Sequence, residues 1–142
     1  MIEYDKLKKS IIHLEKQYNN YLSMNGRNNL SQLDREGISE SVVQRFETCY
    51  DTLWKPLKKY LENETGLPDV PNSPKPVLRV AFENHIIEDI EKWIEYANAR
   101  VGTAHDYSEQ KFKEALDKTG DFLKDVISVY CKMKNEEWSS EK

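Results

Sequence analysis

A chain of 142 residues is long enough to bury its own core without disulfide staples, and its length suits one domain spanning 1–142. Charged residues make up 32% of it and hydrophobic residues 38%; no run has bilayer-crossing length and Met1–Ser10 is charged, so neither a membrane span nor a signal segment is expected. A net charge of −4 argues against general duplex binding, which needs a basic face, but is compatible with a compact site that acts on RNA.

Helical spacing dominates the chain. Leu7, Ile11, Leu14, Tyr18 and Leu22 step by four and three, predicting a first helix from about Tyr4 to Met24. "NGRNN" then breaks it. A second helix carries Val42, Phe46, Cys49, Leu53, Leu57 and Tyr60 on one stripe, widened by Val43, Tyr50, Trp54 and Leu61. That width marks a central helix touching two or more neighbours. Either Ser31 or Ser39 can cap its start, and Pro56 predicts a bend because it has no N–H for the carbonyl of Thr52.

The segment "TGLPDVPNSPKP" (65–76), with four prolines and a glycine, is a loop that ends in a helix start at Ser73–Pro74. A third helical region holds Val77, Ala81 and Phe82. It is expected to break or kink near Asn84–His85 and to resume with Ile86, Ile90, Trp93 and Ala97. A fourth runs from Ser108 to about Lys134 on Phe112, Ala115, Leu116, Thr119, Phe122, Val126 and Val129, capped by Asp106 or Ser108. Asp106 and Glu109 have the spacing of a capping box. Residues 135–142 read as a frayed tail. No strand pattern and no internal repeat occur, so the fold class is all-α, an up-and-down four-helix bundle. Eight tyrosines and three tryptophans either simply fill one core or leave apolar surface to spare for a homodimer.

Several chemistries lack their residues. There is no Gly-rich phosphate loop, no HExxH and no Asp-x-Asp to hold paired magnesium ions, and the three histidines have no metal-ligand spacing. No metal site and no cofactor are therefore expected. Cys49 and Cys131 lie in different helices, as small hydrophobes of a reducing compartment, with the cytoplasm as the expected location.

The stretch "ARVGTAHDY" (99–107) joins the last two helical regions and concentrates Arg100, His105 and Tyr107. On a continuous helix Arg100 and His105 stand about 140° apart. Their convergence therefore requires the helix to end between them, and Gly102 is suited to end it. Arginine forks a phosphate and histidine moves a proton near neutrality, a sufficient pair for cleaving RNA without a metal. One histidine cannot readily act as both acid and base, so a second copy across a two-fold axis would complete the site. Spacing alone favours the plainer account, an arginine at a helix C-terminus and a histidine bonding a turn carbonyl. Glu47 and Asp51, one turn apart on the second helix, either hold the motif arginine or belong to a solvated face.

"QRFETCYDTLWKPLKKYL" (44–61), followed by "AF", Trp93 and "ARVGTAHDY", resembles the small HEPN-family proteins encoded beside minimal nucleotidyltransferases. These are often named nucleotidyltransferase substrate-binding proteins and include the HepT toxins of HepT–MntA pairs. The likeness is clearest from Val42 to Tyr107, where Arg100, His105 and Tyr107 match the Arg-x4-His-x-Tyr motif. It implies a dimerising four-helix bundle with Arg–His pairs in an interface cleft, acting as a metal-independent ribonuclease toxin on RNA. It also implies a nucleotidyltransferase antitoxin that adds AMP to Tyr107. In this chain Val101 and Ala104 stand where the family often has polar residues, and Pro56 is unusual. The alternative is a non-catalytic subunit that binds substrate or docks the transferase.

Overall fold

The computed structural model describes residues 2–105 and 108–139, with His105 described by its backbone alone. Helix α1 (Asp5–Leu22) buries Leu7, Ile11 and Leu14 on the predicted stripe and is followed by a 3-10 turn at Met24–Gly26. Arg35 fastens that turn, donating to the carbonyls of Arg27 at 2.7 Å and Met24 at 3.2 Å.

Helix α2 (Gln32–Asn63) starts at Ser31, not Ser39. Ser31 Oγ accepts from the Asp34 N–H and the Asp34 carboxylate accepts from the Ser31 N–H, both at 3.0 Å, a reciprocal capping box. The helix continues unbroken through Pro56, although Pro56 has no N–H to give the Thr52 carbonyl. Its wide stripe buries Val42, Val43, Phe46, Cys49, Tyr50, Leu53, Leu57 and Leu61.

The third helical region is two helices, α3 (Pro74–Glu83) and α4 (Ile90–His105). The cause of the break is local. His85 adopts a left-handed φ of 65°, its N–H reaches Phe82 O at 3.1 Å, and the Ile86 N–H reaches Ala81 O at 2.9 Å. That is a Schellman ending with histidine where glycine is usual. Ile86, expected in a resumed helix, lies with Ile87 in the connection, and both are buried there. Helix α5 (Glu109–Lys134) is capped by Ser108, whose Oγ accepts from the Lys111 N–H at 3.2 Å; Asp106, the other expected cap, lies outside the described residues.

Cross-helix pairs fix the topology. Ser10 meets Thr52, Tyr4 meets Tyr130, and Lys118 and Lys132 meet Glu95 and Glu88. Helices α1, α2, α4 and α5 therefore alternate up and down, with α3 leaning on α2 and α4. At the centre Phe46, Trp93, Tyr96 and Phe122 pack edge to face with ring centroids 4.9–5.7 Å apart. Trp93 is core, whereas Trp54 is half-buried against the core's edge. Trp138, in the segment expected to fray, lies against Tyr130 with centroids 5.7 Å apart and donates to Glu15.

Candidate functional site

The polar face of α2 carries Glu40, Gln44, Glu47 and Asp51 at spacings of four, three and four, so one stripe of the helix presents them together. Helix α4 lies across from that stripe and brings Arg100 to it. Asp51 receives the guanidinium as a fork: Arg100 Nε donates to Oδ1 at 3.0 Å and Nη2 to Oδ2 at 2.9 Å. Nη1 lies 3.7 Å from Glu47 Oε2. Sequence left Glu47 and Asp51 between a solvated face and a support for the arginine, and the geometry has both holding it. The Asp51 hydrogen bonds, with the two carboxylate charges, raise the guanidinium pKa against partial burial.

Glu40, Gln44, Glu47, Arg100 and Thr103 line one groove between α2 and α4. Two carboxylates touch one guanidinium, and the Glu40 side chain adds a third acid to the lining. Arg100 has five N–H donors, and Asp51 engages two of them. Glu40 and Gln44 were not singled out from sequence, although their helical register with Glu47 and Asp51 was legible. Thr103, also missed, is buried and donates to the Arg100 carbonyl at 3.0 Å.

The expected helix end at Gly102 is overturned. Helix α4 runs through Gly102 to His105, so Arg100 and His105 occupy one continuous helix. Nothing about Gly102 obliges it to end the helix, since its φ is not in the left-handed region and its open side faces the Lys111 methylenes. The two motif positions are thus separated by about 140° around α4. Val101 and Asn98, one and two turns before position 105 on α4, are both exposed. Val101 is a 48% exposed apolar side chain beside the motif. The His105 side chain and all of Tyr107 lie outside the described residues.

His13 is exposed and His85 forms the α3 ending described above. Among the described residues no group of three or more His, Cys, Asp or Glu side chains is placed to hold a metal ion, and no helix is long and apolar enough to cross a membrane. Cys49 is wholly buried, and burial pushes its thiol up to about 12, so it remains a protonated core residue at neutral pH.

Residues 2–135 match a family described as nucleotidyltransferase substrate binding protein like. Over 91 residues the chain is 30% identical to a Haemophilus influenzae protein named probable ribonuclease HepT. That match covers 63% of this chain and 62% of the relative, so the chain spans less than two thirds of the curated relative it matches. The H. influenzae protein HI0074, described as having the fold of a substrate binding domain of a nucleotidyltransferase, superposes with a TM-score of 0.81. It is 20% identical, and the match covers 93% of this chain and 99% of that one. A protein from Thermus thermophilus gives a TM-score of 0.64 at 24% identity, covering 85% and 98% of the two chains. At these identities the two structures speak for the shared helical fold alone.

Proposed function

The chain belongs to the nucleotidyltransferase substrate binding protein like family, and on that premise we propose that it is a HEPN-type, metal-independent endoribonuclease whose toxicity a separate nucleotidyltransferase restrains. The observation that carries this is the Arg100 fork. Asp51 grips Nε and Nη2 at 3.0 and 2.9 Å, which orients the guanidinium and leaves donors for a phosphodiester at the groove. Likeness to a probable ribonuclease supports the same chemistry.

In this mechanism Arg100 binds the scissile phosphate and holds the charge that gathers on the five-coordinate phosphorus. A ribose 2′-oxygen attacks that phosphorus as its proton passes to a neutral His105. The bond to the 5′-oxygen breaks, and a protonated histidine delivers a proton to it. The products are a 2′,3′-cyclic phosphate and a 5′-hydroxyl. Because one histidine cannot readily serve as both acid and base, the two come from the His105 residues of two copies, packed so that their α4 ends meet. The exposed Val101, one turn before position 105, supports a homodimer covering that side of α4.

Tyr107 is the proposed acceptor for silencing. Its phenol oxygen attacks the α-phosphorus of ATP on the transferase, pyrophosphate leaves, and the AMP occupies the phosphate site beside Arg100. A bulky anion there competes with RNA both by charge and by volume. The reading takes the cytoplasm as the location, with RNA, a second copy and the transferase as partners.

A second reading has a specific observation in its favour. Glu40 and Glu47 line the groove with Arg100, and Asp51 pairs with the same guanidinium, so carboxylates outnumber the arginine there. A non-catalytic subunit that docks the transferase would tolerate that balance better than a nuclease. Total RNA incubated in EDTA with the protein and with its His105→Ala variant separates the two. Cleavage by the parent and none by the folded variant supports the nuclease; intact RNA with an unmodified parent protein supports the docking subunit.

A further inference from the structure

A second groove opens on the opposite side of Asp51 from the acidic one. It is lined by Ile2, Glu3, Lys6, Asp51, Thr52, Lys55, Pro56 and Lys59. Asp51 is common to this groove and to the Arg100 pair, so the two surfaces are continuous. Lys55 and Lys59 follow Asp51 at successive spacings of four on α2, each about 6 Å further along the helix axis. Lys6 faces them from α1, which runs antiparallel at this level.

No described carboxylate pairs with these charges, although Lys55 Nζ also lies 6.0 Å from the centroid of the Trp54 ring. Lys6, Lys55 and Lys59 are all exposed and make no ion pair among the described residues, whereas neighbouring Lys58 is tied to Glu62. Within the lining, Glu3 is the one carboxylate that Arg100 does not engage. A chain with net charge −4 thus keeps a strip of three ammonium groups that pair with no described carboxylate, beginning beside the Arg100–Asp51 pair. Point-charge ammonium groups spaced along a groove suit a phosphodiester backbone, which they bind without regard to sequence.

We propose that the Lys6–Lys55–Lys59 groove carries the flank of a single-stranded RNA whose scissile phosphate sits at Arg100. This rests on the ribonuclease reading and deepens it, because it makes the substrate an unpaired strand several nucleotides long. Lys55 and Lys59 are positioning residues and take no part in bond breaking.

The test uses a fluorescent 12-nucleotide single-stranded RNA in EDTA, with the full chain, its Lys55→Gln/Lys59→Gln variant and an equal-charge control, Lys16→Gln/Lys124→Gln, at two exposed sites elsewhere. Binding is measured across salt concentrations, and cleavage of the 12-mer is compared with that of a dinucleotide. The expected result is a loss of about tenfold or more in 12-mer affinity for the groove variant alone. Its log K against log salt slope should fall by about 1.4, from 0.7 per lost phosphate contact. Dinucleotide cleavage should be unchanged. Equal 12-mer affinity and slope in all three proteins, with the parent still cleaving, overturns the groove and spares the ribonuclease. Undiminished RNA binding with lost binding to the transferase also overturns it, by giving the groove to a protein partner. No RNA binding or cleavage by the parent removes the ribonuclease reading, and the groove assignment with it.

Discussion

Arg100 and Asp51 are 49 residues apart in sequence and joined by two parallel hydrogen bonds of 2.9 and 3.0 Å. The pair ties α4 to α2 at the motif arginine. Asp51 is half exposed, so the bond contributes little to stability against solvent and salt. Its proposed value lies in direction: it fixes the guanidinium plane before substrate arrives.

Asp51→Ala tests that role. Losing the fork lets the guanidinium swing, and misplacement of about 1 Å costs on the order of 100-fold in rate. Removing a carboxylate at the same time makes the groove less repulsive to phosphate. The expected signature is a kcat lowered about 10- to 100-fold with KM unchanged or lower and a thermal midpoint close to the parent's. A raised KM with full kcat would mean that Asp51 serves binding and not aim.

Gly102→Ala reports on the path of α4. Inside a helix, alanine is favoured over glycine by about 1 kcal/mol. A Cβ at Gly102 would meet Lys111 Cδ at 3.3 Å, and that flexible methylene can move aside. The variant should therefore unfold at a higher urea concentration than the parent. Destabilisation would instead mean a helix that ends at Gly102.

Alkaline pH should unfold the bundle from its core. Burial raises the Cys49 thiol from 9.0 to about 12 and, with the Asp51 charge adding to it, the Tyr50 phenol from 10.0 to about 12. Tyr96 and Tyr130 are shifted upward as well, by burial and by hydrogen bonds to Asp125 and Glu136. Each group holds its proton more tightly folded than unfolded. Their contribution is thus complete below about pH 9 and is lost as pH rises toward 12. Urea midpoints measured from about pH 7 to 11 should fall above about pH 9, and a midpoint rising over that interval would contradict the burial of these groups.

Phe46→Ala removes a ring from the centre of the aromatic cluster, where Phe46 is wholly buried against Phe122. A loss of about 3–5 kcal/mol is expected, read as a lowered urea midpoint with an unchanged slope. A loss below about 1 kcal/mol would mean that the site can collapse around the gap.

Legibility from sequence followed the physics of each feature. Apolar steps of three and four were enough to place α1 and α5 to within a few residues and to mark the buried stripe of α2, because burial and helical period impose the same pattern. The capping box at Ser31–Asp34 was half visible, since either Ser31 or Ser39 satisfied the local rule. The α3–α4 break was seen at Asn84–His85, but its extent was not: the Schellman ending uses a histidine in the left-handed region, and Ile86 and Ile87 look helical while serving as anchors. Gly102 misled because glycine ends helices only when a left-handed residue is needed, and the packing of α4 on α5 needs none. Glu47 and Asp51 were noticed, but their partner 49 residues away could be established only by the fold. Lys55 and Lys59 flank Pro56 in the sequence, but only the fold shows that Asp51 joins their groove to Arg100.

The most direct measurement of the central claim is the fate of one phosphodiester. A single-stranded DNA oligonucleotide carrying one ribose is incubated with the protein in EDTA, beside its all-deoxy twin. Attack by a 2′-hydroxyl with Arg100 and His105 as the machinery predicts one cut, after the ribose, leaving a 2′,3′-cyclic phosphate and a 5′-hydroxyl, with the twin intact. A cut in the all-deoxy strand, a 5′-phosphate end, or equal cutting by the His105→Ala protein would contradict it.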